Sequence, residues 1–165
     1  MQVHSFPPVA SPGARVLILG TMPGAASLRQ RQYYAHPQNQ FWRILGALLG
    51  FDPASPYEAR LAALCAADIA VWDVLQTCIR PGSMDAAIVA ASAVPNDIPG
   101  LLAAHPQIGR VFFNGGGAER LYRRHVLPRL AAASAVPHLR LPSTSPAYAK
   151  LPYTAKLQAW QTILS

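Results

Sequence analysis

Four short apolar runs, each bounded by glycine, proline or polar residues, indicate buried β-strands. These runs cover residues 15–20, 68–74, 110–114 and 137–143. Apolar residues at helical spacing predict helices over residues 40–49, 57–66, 85–92, 97–104, 119–131 and 152–164. Strands that alternate with helices are typical of an α/β domain with a central, mainly parallel sheet, here of four strands.

The chain contains no internal repeat and no long linker, and its 165 residues suit one domain over residues 1–165. A hydrophobic fraction of 52% excludes an intrinsically disordered protein. No apolar run is long enough to span a bilayer, and the first residues do not resemble a secretory signal. The two cysteines are too few for a disulfide scaffold. We therefore expect a cytoplasmic protein without membrane contact.

The charge balance favours a polyanionic partner. Fourteen Lys and Arg residues against seven Asp and Glu residues give a formal net charge of +7. A basic excess of this kind is most often found in proteins that bind nucleic acid, although it also serves solubility. Arg29 and Arg31 lie between two candidate loops of the site described below, and we expect both to contact DNA phosphates.

Ligands of parallel sheets bind beyond the carboxyl ends of the strands, so the segments that follow the strands are the candidate site. The first segment, GTMPG, is not a dinucleotide or P-loop fingerprint. Its Gly20 and Gly24 allow backbone N–H groups to approach a ligand, although an ordinary strand-exit turn fits equally well. In the segment NGGGA, Asn114 is able to read a base edge, or else it caps a glycine-rich turn.

Two further segments carry polar side chains. In YYAHPQNQFW, Asn39 is suited to cap a helix that begins at Gln40, and His36 is suited to a structural role. In LPSTSPAYAK, three hydroxyl residues between two prolines form a stiff loop whose donors suit phosphate oxygens, although any rigid turn fits as well.

Several chemistries lack their residues in this sequence. The histidine and cysteine spacings do not resemble a zinc site, and the G-x-S-x-G motif of serine hydrolases is absent. No acidic cluster supports a metal-dependent nuclease. Asp73 is the only carboxylate that we predict at the carboxyl end of a strand. We therefore expect neutral groups to carry any catalysis, with no metal and no cofactor.

The segments GTMPG, AHPQNQFW and PSTSPA, in this order, resemble the motifs of the uracil-DNA glycosylase superfamily. The resemblance covers roughly residues 14–160 and is strongest to the hypoxanthine-DNA glycosylase branch, family 6. It implies a three-layer αβα sandwich around the four-stranded sheet. Met22 stands where mismatch-specific relatives carry a water-positioning Asn, and the resemblance assigns that role to Asn39. It also implies that Tyr34 stacks on the base. The remaining residues implied to bind the base or its nucleotide are Gly20, Thr21, Met22, Pro23, Gly24, His36 and Asn114, with Ser143, Thr144 and Ser145 on the DNA backbone.

The resemblance implies a monofunctional DNA glycosylase that hydrolyses the N-glycosidic bond of a deaminated base in base excision repair. Hypoxanthine is the expected base and uracil the second. The expected partner is double-stranded DNA that holds the damaged base, with single-stranded DNA as the alternative, and the expected state is a monomer. Two other functions stay open: a nucleic-acid-binding domain without catalysis, and a nucleotide or small-molecule hydrolase that binds phosphate with the NGGGA turn.

Overall fold

The computed structural model describes residues 1–132 and 135–165 of the chain, which form a parallel sheet and a smaller antiparallel one. The strands are β1 (Gln2–His4), β2 (Val16–Gly20), β3 (Ile69–Asp73), β4 (Leu75–Ile79), β5 (Val94–Pro95), β6 (Arg110–Asn114) and β7 (His138–Leu141). The central sheet has the order β3-β2-β6-β7, and all of its strands are parallel. The second sheet has the order β1-β4-β5 and is antiparallel.

The described residues also form six α-helices. They are α1 (Ala25–Gln30), α2 (Phe41–Leu49), α3 (Tyr57–Ala66), α4 (Ile98–Ala104), α5 (Gly116–His125) and α6 (Tyr153–Trp160). Short 3₁₀ turns cover Asp85–Ala87, Ala90–Ser92, Leu127–Arg129 and Gln161–Leu164. Within the described ranges, no helix is long and apolar enough to cross a membrane.

Successive side chains of the central strands point to opposite faces of the sheet and fill two separate cores. Leu17 and Leu19 of β2 pack with residues of α4 and α5 on one face. Ile18 of β2 packs with residues of α2, α3 and α6 on the other. Helices therefore cover both faces, which confirms the predicted three-layer α/β fold with a central parallel sheet of four strands.

Local structure differs from the prediction in several places. The antiparallel sheet was not predicted, because β4 follows β3 after the single residue Val74 and its alternating pattern merges with the preceding apolar run. The sequence does not predict helix α1 either, because its six residues are too few to show the helical period of apolar residues. The predicted helix over residues 85–92 is wrong, since this segment forms two 3₁₀ turns.

The fifth helix begins and ends earlier than the predicted range of 119–131. It starts at Gly116 and ends at His125, where the chain turns into a 3₁₀ segment that contains Pro128. Proline lacks the N–H that a continuing helix needs. Two glycines of the NGGGA segment are thus helical, and the segment is not a loop of three glycines.

One buried cation holds the turn after β2 in place. Arg80 is 1% exposed, and its guanidinium donates hydrogen bonds to three carbonyl oxygens. These are the oxygens of Gly82 at 2.9 Å, Met22 at 3.4 Å and Pro23 at 2.7 Å. The planar, forked group suits this task because its donors point in fixed directions. Arg80 thereby joins the Gly20–Gly24 turn to the loop that follows β4.

Substitution of Arg80 by Met should lower the free energy of unfolding by about 3 kcal/mol, because buried carbonyl oxygens lose their donors. Substitution by Lys should restore only part of this loss, since an ammonium group does not reproduce the fork. Urea unfolding measures both variants. Arg15→Met, at an exposed arginine before β2, is the control. A loss at Arg80 no larger than that of the control would contradict the assignment.

Candidate active site

A cavity of about 510 Å³ opens at the carboxyl ends of β2, β3 and β6, within the size range of ligand pockets. Segments that are far apart in the sequence meet there because the strands are parallel. Most of the residues predicted for the site line this cavity: Gly20, Thr21, Met22, Gly24, Arg29, Tyr34, His36, Asn39, Asn114, Ser143, Thr144 and Ser145.

Two predicted residues lie elsewhere. Pro23 is buried under the turn, where its carbonyl oxygen accepts from Arg80. Arg31 is exposed and lines a second cavity together with Phe6 and Tyr33. Helix α1 separates the two arginines in this way, because Arg29 lies within its last turn while Arg31 follows as its left-handed cap, with φ of 54°. The assignment of Arg31 to the DNA face of this site therefore does not fit its position.

The floor of the cavity depends on a close approach at Gly20. Gly20 of β2 lies in register with Asp73 of β3. A Cβ atom added at Gly20 would lie 2.5 Å from Asp73 Oδ1 and 2.9 Å from Tyr34 Oη. Any side chain at Gly20 would thus collide with two polar groups, so this position requires glycine.

The Asp73 carboxyl is buried, and one of its oxygens has no hydrogen-bond partner among the described residues. The residue is 3% exposed, and the oxygen without a partner is Oδ2. Burial, and after it the negative charge of Asp85, raise the pKa of this carboxyl to about 7, although the Arg80 cation opposes the rise. Near neutral pH this carboxyl is therefore divided between its acid and carboxylate forms.

Asp85 forms a second acidic group at the cavity. Asp85 is exposed as a residue, but its Oδ2 accepts a hydrogen bond from Thr21 Oγ1 at 3.0 Å, and desolvation of the carboxyl raises its pKa. A Cβ atom at Gly117 would lie 2.6 Å from the same oxygen. Gly117 in the first turn of α5 thus makes room for Asp85, which explains why glycines occupy a helix start at this place.

Tyr34 forms one wall of the cavity and is held by an aromatic cluster. Its ring stacks on Phe41 with a centroid distance of 4.0 Å and an interplanar angle of 19°. Its φ of 55° is uncommon for a bulky residue. The hydroxyl is buried and makes no well-formed hydrogen bond among the described residues, although the Asn114 side chain lies near it, and burial raises its pKa. Tyr34 therefore presents an aromatic face and a neutral phenol to the site.

Asn39 acts as a cap and also lines the cavity. The helix begins at Phe41 with Gln40 as its N-cap, so the predicted cap position is wrong by one residue, but Asn39 Oδ1 still accepts a hydrogen bond from the Phe41 N–H at 2.9 Å. Because a backbone N–H only donates, this contact identifies the oxygen end of the amide. The Gln40 N–H donates to the Thr144 carbonyl oxygen at 3.0 Å, so this loop is fixed to the serine-rich loop. His36 is exposed at the rim.

The serine-rich loop is braced by Asn114. Asn114 Nδ2 donates to Thr144 Oγ1 and Asn114 Oδ1 accepts from the Thr144 N–H, each at 2.9 Å. Thr144 is fully buried, so its hydroxyl holds Asn114, and the expected contact with a DNA phosphate does not fit this position. Ser143 and Ser145 accept backbone N–H groups through Oγ, which leaves their own O–H groups free to donate.

Comparison with known proteins identifies the family. The model described as "Uracil DNA glycosylase superfamily" matches residues 7–164. This chain belongs to that superfamily. It is 40% identical over 116 residues to the "Hypoxanthine DNA glycosylase" of Methanosarcina barkeri, with coverage of 70% of this chain and 72% of the relative. It is 36% identical over 140 residues to the protein of the same name from Methanosarcina acetivorans, with coverage of 79% and 87%.

A solved structure supports the same conclusion. The solution NMR structure of a Methanosarcina acetivorans protein with a provisional uracil DNA glycosylase assignment superposes with a TM-score of 0.80. It is 30% identical in sequence, and the match covers 100% of both chains. The resemblance drawn from the sequence motifs is therefore confirmed, and this member of the uracil DNA glycosylase superfamily is a DNA glycosylase with DNA as its substrate.

Two residues that shape the site of this glycosylase, Arg80 and Asp85, are not predicted by the sequence. Arg80 and Asp85 lie in a segment without a recognisable motif, and long-range contacts alone reveal their roles. Asp73 was noted at the end of a strand, but no role was assigned to it. Its position directly after a fully buried run was the available signal.

Substitution of Asp73 by Asn should stabilise this glycosylase increasingly as pH rises. Between about pH 4 and pH 7 the unfolded chain releases the Asp73 proton while the folded chain retains it, so the wild type loses stability. The loss approaches about 1.4 kcal/mol per pH unit. Below that window the two proteins should differ little, and above it the difference should stay constant.

Urea unfolding of both proteins at several pH values measures the difference. Glu58→Gln, at an exposed carboxylate outside the cavity, is the matched control and should show no comparable trend. A stability difference for Asp73→Asn that is independent of pH would contradict the buried, raised carboxyl.

Proposed function

We propose that this protein hydrolyses the N-glycosidic bond of hypoxanthine in DNA, with uracil as the second substrate. Two relatives at 36–40% identity carry the name hypoxanthine DNA glycosylase, which supports the first base. The family description and the provisional assignment of the solved neighbour support uracil. The preferred partner in this proposal is double-stranded DNA bound by a monomer.

The observation that carries the proposal is the fixed amide of Asn39 on the cavity wall. Its Oδ1 uses one lone pair for the Phe41 N–H, and the other is free to accept a proton of a water molecule. A water held in this way has its own lone pair available for C1′ of the sugar. The cap and the catalytic role are thus compatible, because the cap holds the catalytic oxygen in place.

The reaction passes through an oxocarbenium-like sugar while the base leaves with the electron pair of the bond. Asn39 positions the attacking water without adding charge. Glycosylases must extrude the base from the duplex, and the extruded base needs an aromatic surface. Tyr34 provides that surface, with its ring fixed by the stack on Phe41.

Hydrolysis without a lyase step is expected of this cavity. No lysine is present among the described residues that line it. The buried Lys156 does not line the cavity, and its Nζ donates to the carbonyl oxygen of Tyr148, a lining residue. Among the described residues, no lysine amine therefore faces the sugar from the cavity lining.

Positive charge on the cavity rim supports a DNA backbone contact on both sides. Arg29 lines the cavity and is exposed. On the far side, Arg120 and Arg140 approach Gly116, where a Cβ atom would lie 3.3 Å and 2.8 Å from their Nη1 atoms. Glu119 pairs with Arg140 at 3.7 Å, which leaves Arg120 the less engaged of the two. Ser143 and Ser145 line the same cavity.

Substitution of Asn39 by Ala should reduce single-turnover excision of hypoxanthine by at least about a hundredfold, the usual contribution of a positioned proton acceptor. The lost cap should also lower stability by about 1 kcal/mol. Oligonucleotides that contain deoxyinosine, deoxyuridine or deoxyxanthosine supply the assay. Asn39→Ser is the matched variant, because serine retains a capping oxygen but not the reach of the amide.

Asn39→Ser should therefore be nearly as stable as the wild type and as inactive as the alanine variant. A folded Asn39→Ala protein with normal excision would leave Asn39 as a cap only. Wild-type protein that binds these oligonucleotides without excising any base would favour the binding-domain alternative. Hydrolysis of free nucleotides alone would favour the small-molecule hydrolase.

DNA affinity should decline with salt, with a slope of about −0.9 in log–log form for each phosphate contacted. Replacement of Arg29 and Arg120 together by Ala should reduce the magnitude of that slope by up to about two. Fluorescence anisotropy with undamaged and damaged duplexes measures the change. Replacement of Arg31 and Arg129, two exposed arginines away from this cavity, should leave it unchanged. If both double replacements reduce the salt slope equally, the DNA does not bind specifically at this cavity rim.

A further inference from the structure

The Asp73 carboxyl has no assigned task, although it is the most buried acidic group at the cavity. It is 3% exposed, and its Oδ2 has no partner among the described residues. The Asn96 side chain donates to the backbone carbonyl oxygens of Asp73 and Leu75, at 2.8 Å and 3.1 Å, which fixes the strand exit beneath it. An unpartnered buried carboxyl is costly unless a ligand completes it.

Its neighbours define where that ligand lies. Asp73 Oδ1 and Tyr34 Oη both approach the same point above Gly20, at the floor of the cavity. The Tyr34 hydroxyl also lacks a partner among the described residues. The aromatic wall that we assign to base stacking therefore ends at the unsatisfied carboxyl. A base stacked on Tyr34 would present its edge to Asp73.

We propose that Asp73, as the neutral acid, donates a hydrogen bond to an acceptor on the edge of the base and stabilises the negative charge that the base acquires as it leaves. This inference rests on the proposed function, since it takes the extruded base as the ligand. Asp73 would then be a catalytic residue in addition to Asn39.

The charged surroundings keep the acid form available. Asp85, from the loop after β4, is the nearest like charge and disfavours a second carboxylate, while the Arg80 cation acts in the opposite direction. Tyr34 faces Asp73 as a neutral phenol, and Tyr33 lies behind it with its hydroxyl on the Pro7 carbonyl oxygen. At the rim, His36 and Arg29 also line the cavity. With a pKa of about 7, Asp73 is largely protonated under mildly acidic conditions.

The departure of the base is favoured by the neutral acid form of Asp73. When the C1′–N bond breaks, its electron pair moves onto the base, and water adds its oxygen to C1′. The proton released by that water passes to solvent, and the base takes up one proton. A carboxylate beside the base would oppose the developing charge, whereas an O–H donor stabilises it.

The same donor suits deaminated bases as a class. Deamination replaces an exocyclic amino group by a carbonyl oxygen, so hypoxanthine and uracil offer an acceptor where adenine and cytosine carry a donor. An acid O–H at the cavity floor matches that acceptor. Asp73 is thus placed to recognise the chemical change that marks the damage.

The pH dependence of kcat/KM for hypoxanthine excision tests the inference, because this quantity reports the ionisation of the free enzyme. The kcat/KM of the wild type should fall about tenfold between about pH 6 and pH 8, as expected for one group with a pKa near 7.

Asp73→Asn retains an N–H donor at every pH, so its kcat/KM should not fall over this range. Asp85→Asn removes the like charge and should move the fall to lower pH. Glu58→Gln, an exposed carboxylate outside the cavity, should match the wild type.

A tenfold fall that persists in Asp73→Asn would overturn the inference. A second measurement needs no turnover: the affinity for a duplex with 2′-fluoro-deoxyinosine, whose glycosidic bond resists cleavage, relative to undamaged duplex. This preference should weaken about tenfold over the same pH range in the wild type only. If the wild type excises hypoxanthine but its preference for the damaged duplex does not change with pH, the inference is overturned and the proposed function is retained. Wild-type protein with neither excision nor preference overturns both.

Discussion

The site depends on the close approach of three groups at Gly20. Parallel pairing places Gly20 beside Asp73, and the missing side chain lets the Asp73 carboxyl and the Tyr34 hydroxyl share the floor of the cavity. Asp73 Oδ2 and the Tyr34 hydroxyl make no well-formed hydrogen bond with the described protein around them. A larger residue at Gly20 would displace both groups, and the cavity would lose its polar floor and the position of its aromatic wall.

A second layer of contacts holds this arrangement. Arg80 joins the turn after β2 to the loop after β4 through three carbonyl oxygens. The Phe41 N–H fixes Asn39, and Asn114 fixes the serine-rich loop through Thr144. Capping and bracing hydrogen bonds therefore orient the side chains that face the ligand. Such preorganisation lets neutral groups stabilise developing charge without rearrangement during the reaction.

Much of the fold could be predicted from the sequence because the central strands are short, continuous apolar runs. The segments at their carboxyl ends could be predicted as the site for the same reason, and nearly all of their residues line the cavity. Arg80 could not be predicted, since arginine is almost never fully buried and its three acceptors lie in two separate turns. The start of α5 at Gly116 could not be predicted from the sequence either. Three glycines indicate a turn locally, whereas Gly117 is explained by Asp85, which lies in another part of the chain.

We propose that this cavity receives the damaged base, with Asn39 directed at the sugar and Asp73 at the base edge. A crystal structure of the protein with a duplex that contains 2′-fluoro-deoxyinosine tests this arrangement. We expect an extruded hypoxanthine stacked on Tyr34, with an acceptor of its edge within hydrogen-bond distance of Asp73 and a water between Asn39 Oδ1 and C1′. A hypoxanthine that remains in the duplex, or one bound away from Asp73 and Asn39, would show that the cavity does not hold the base in this way.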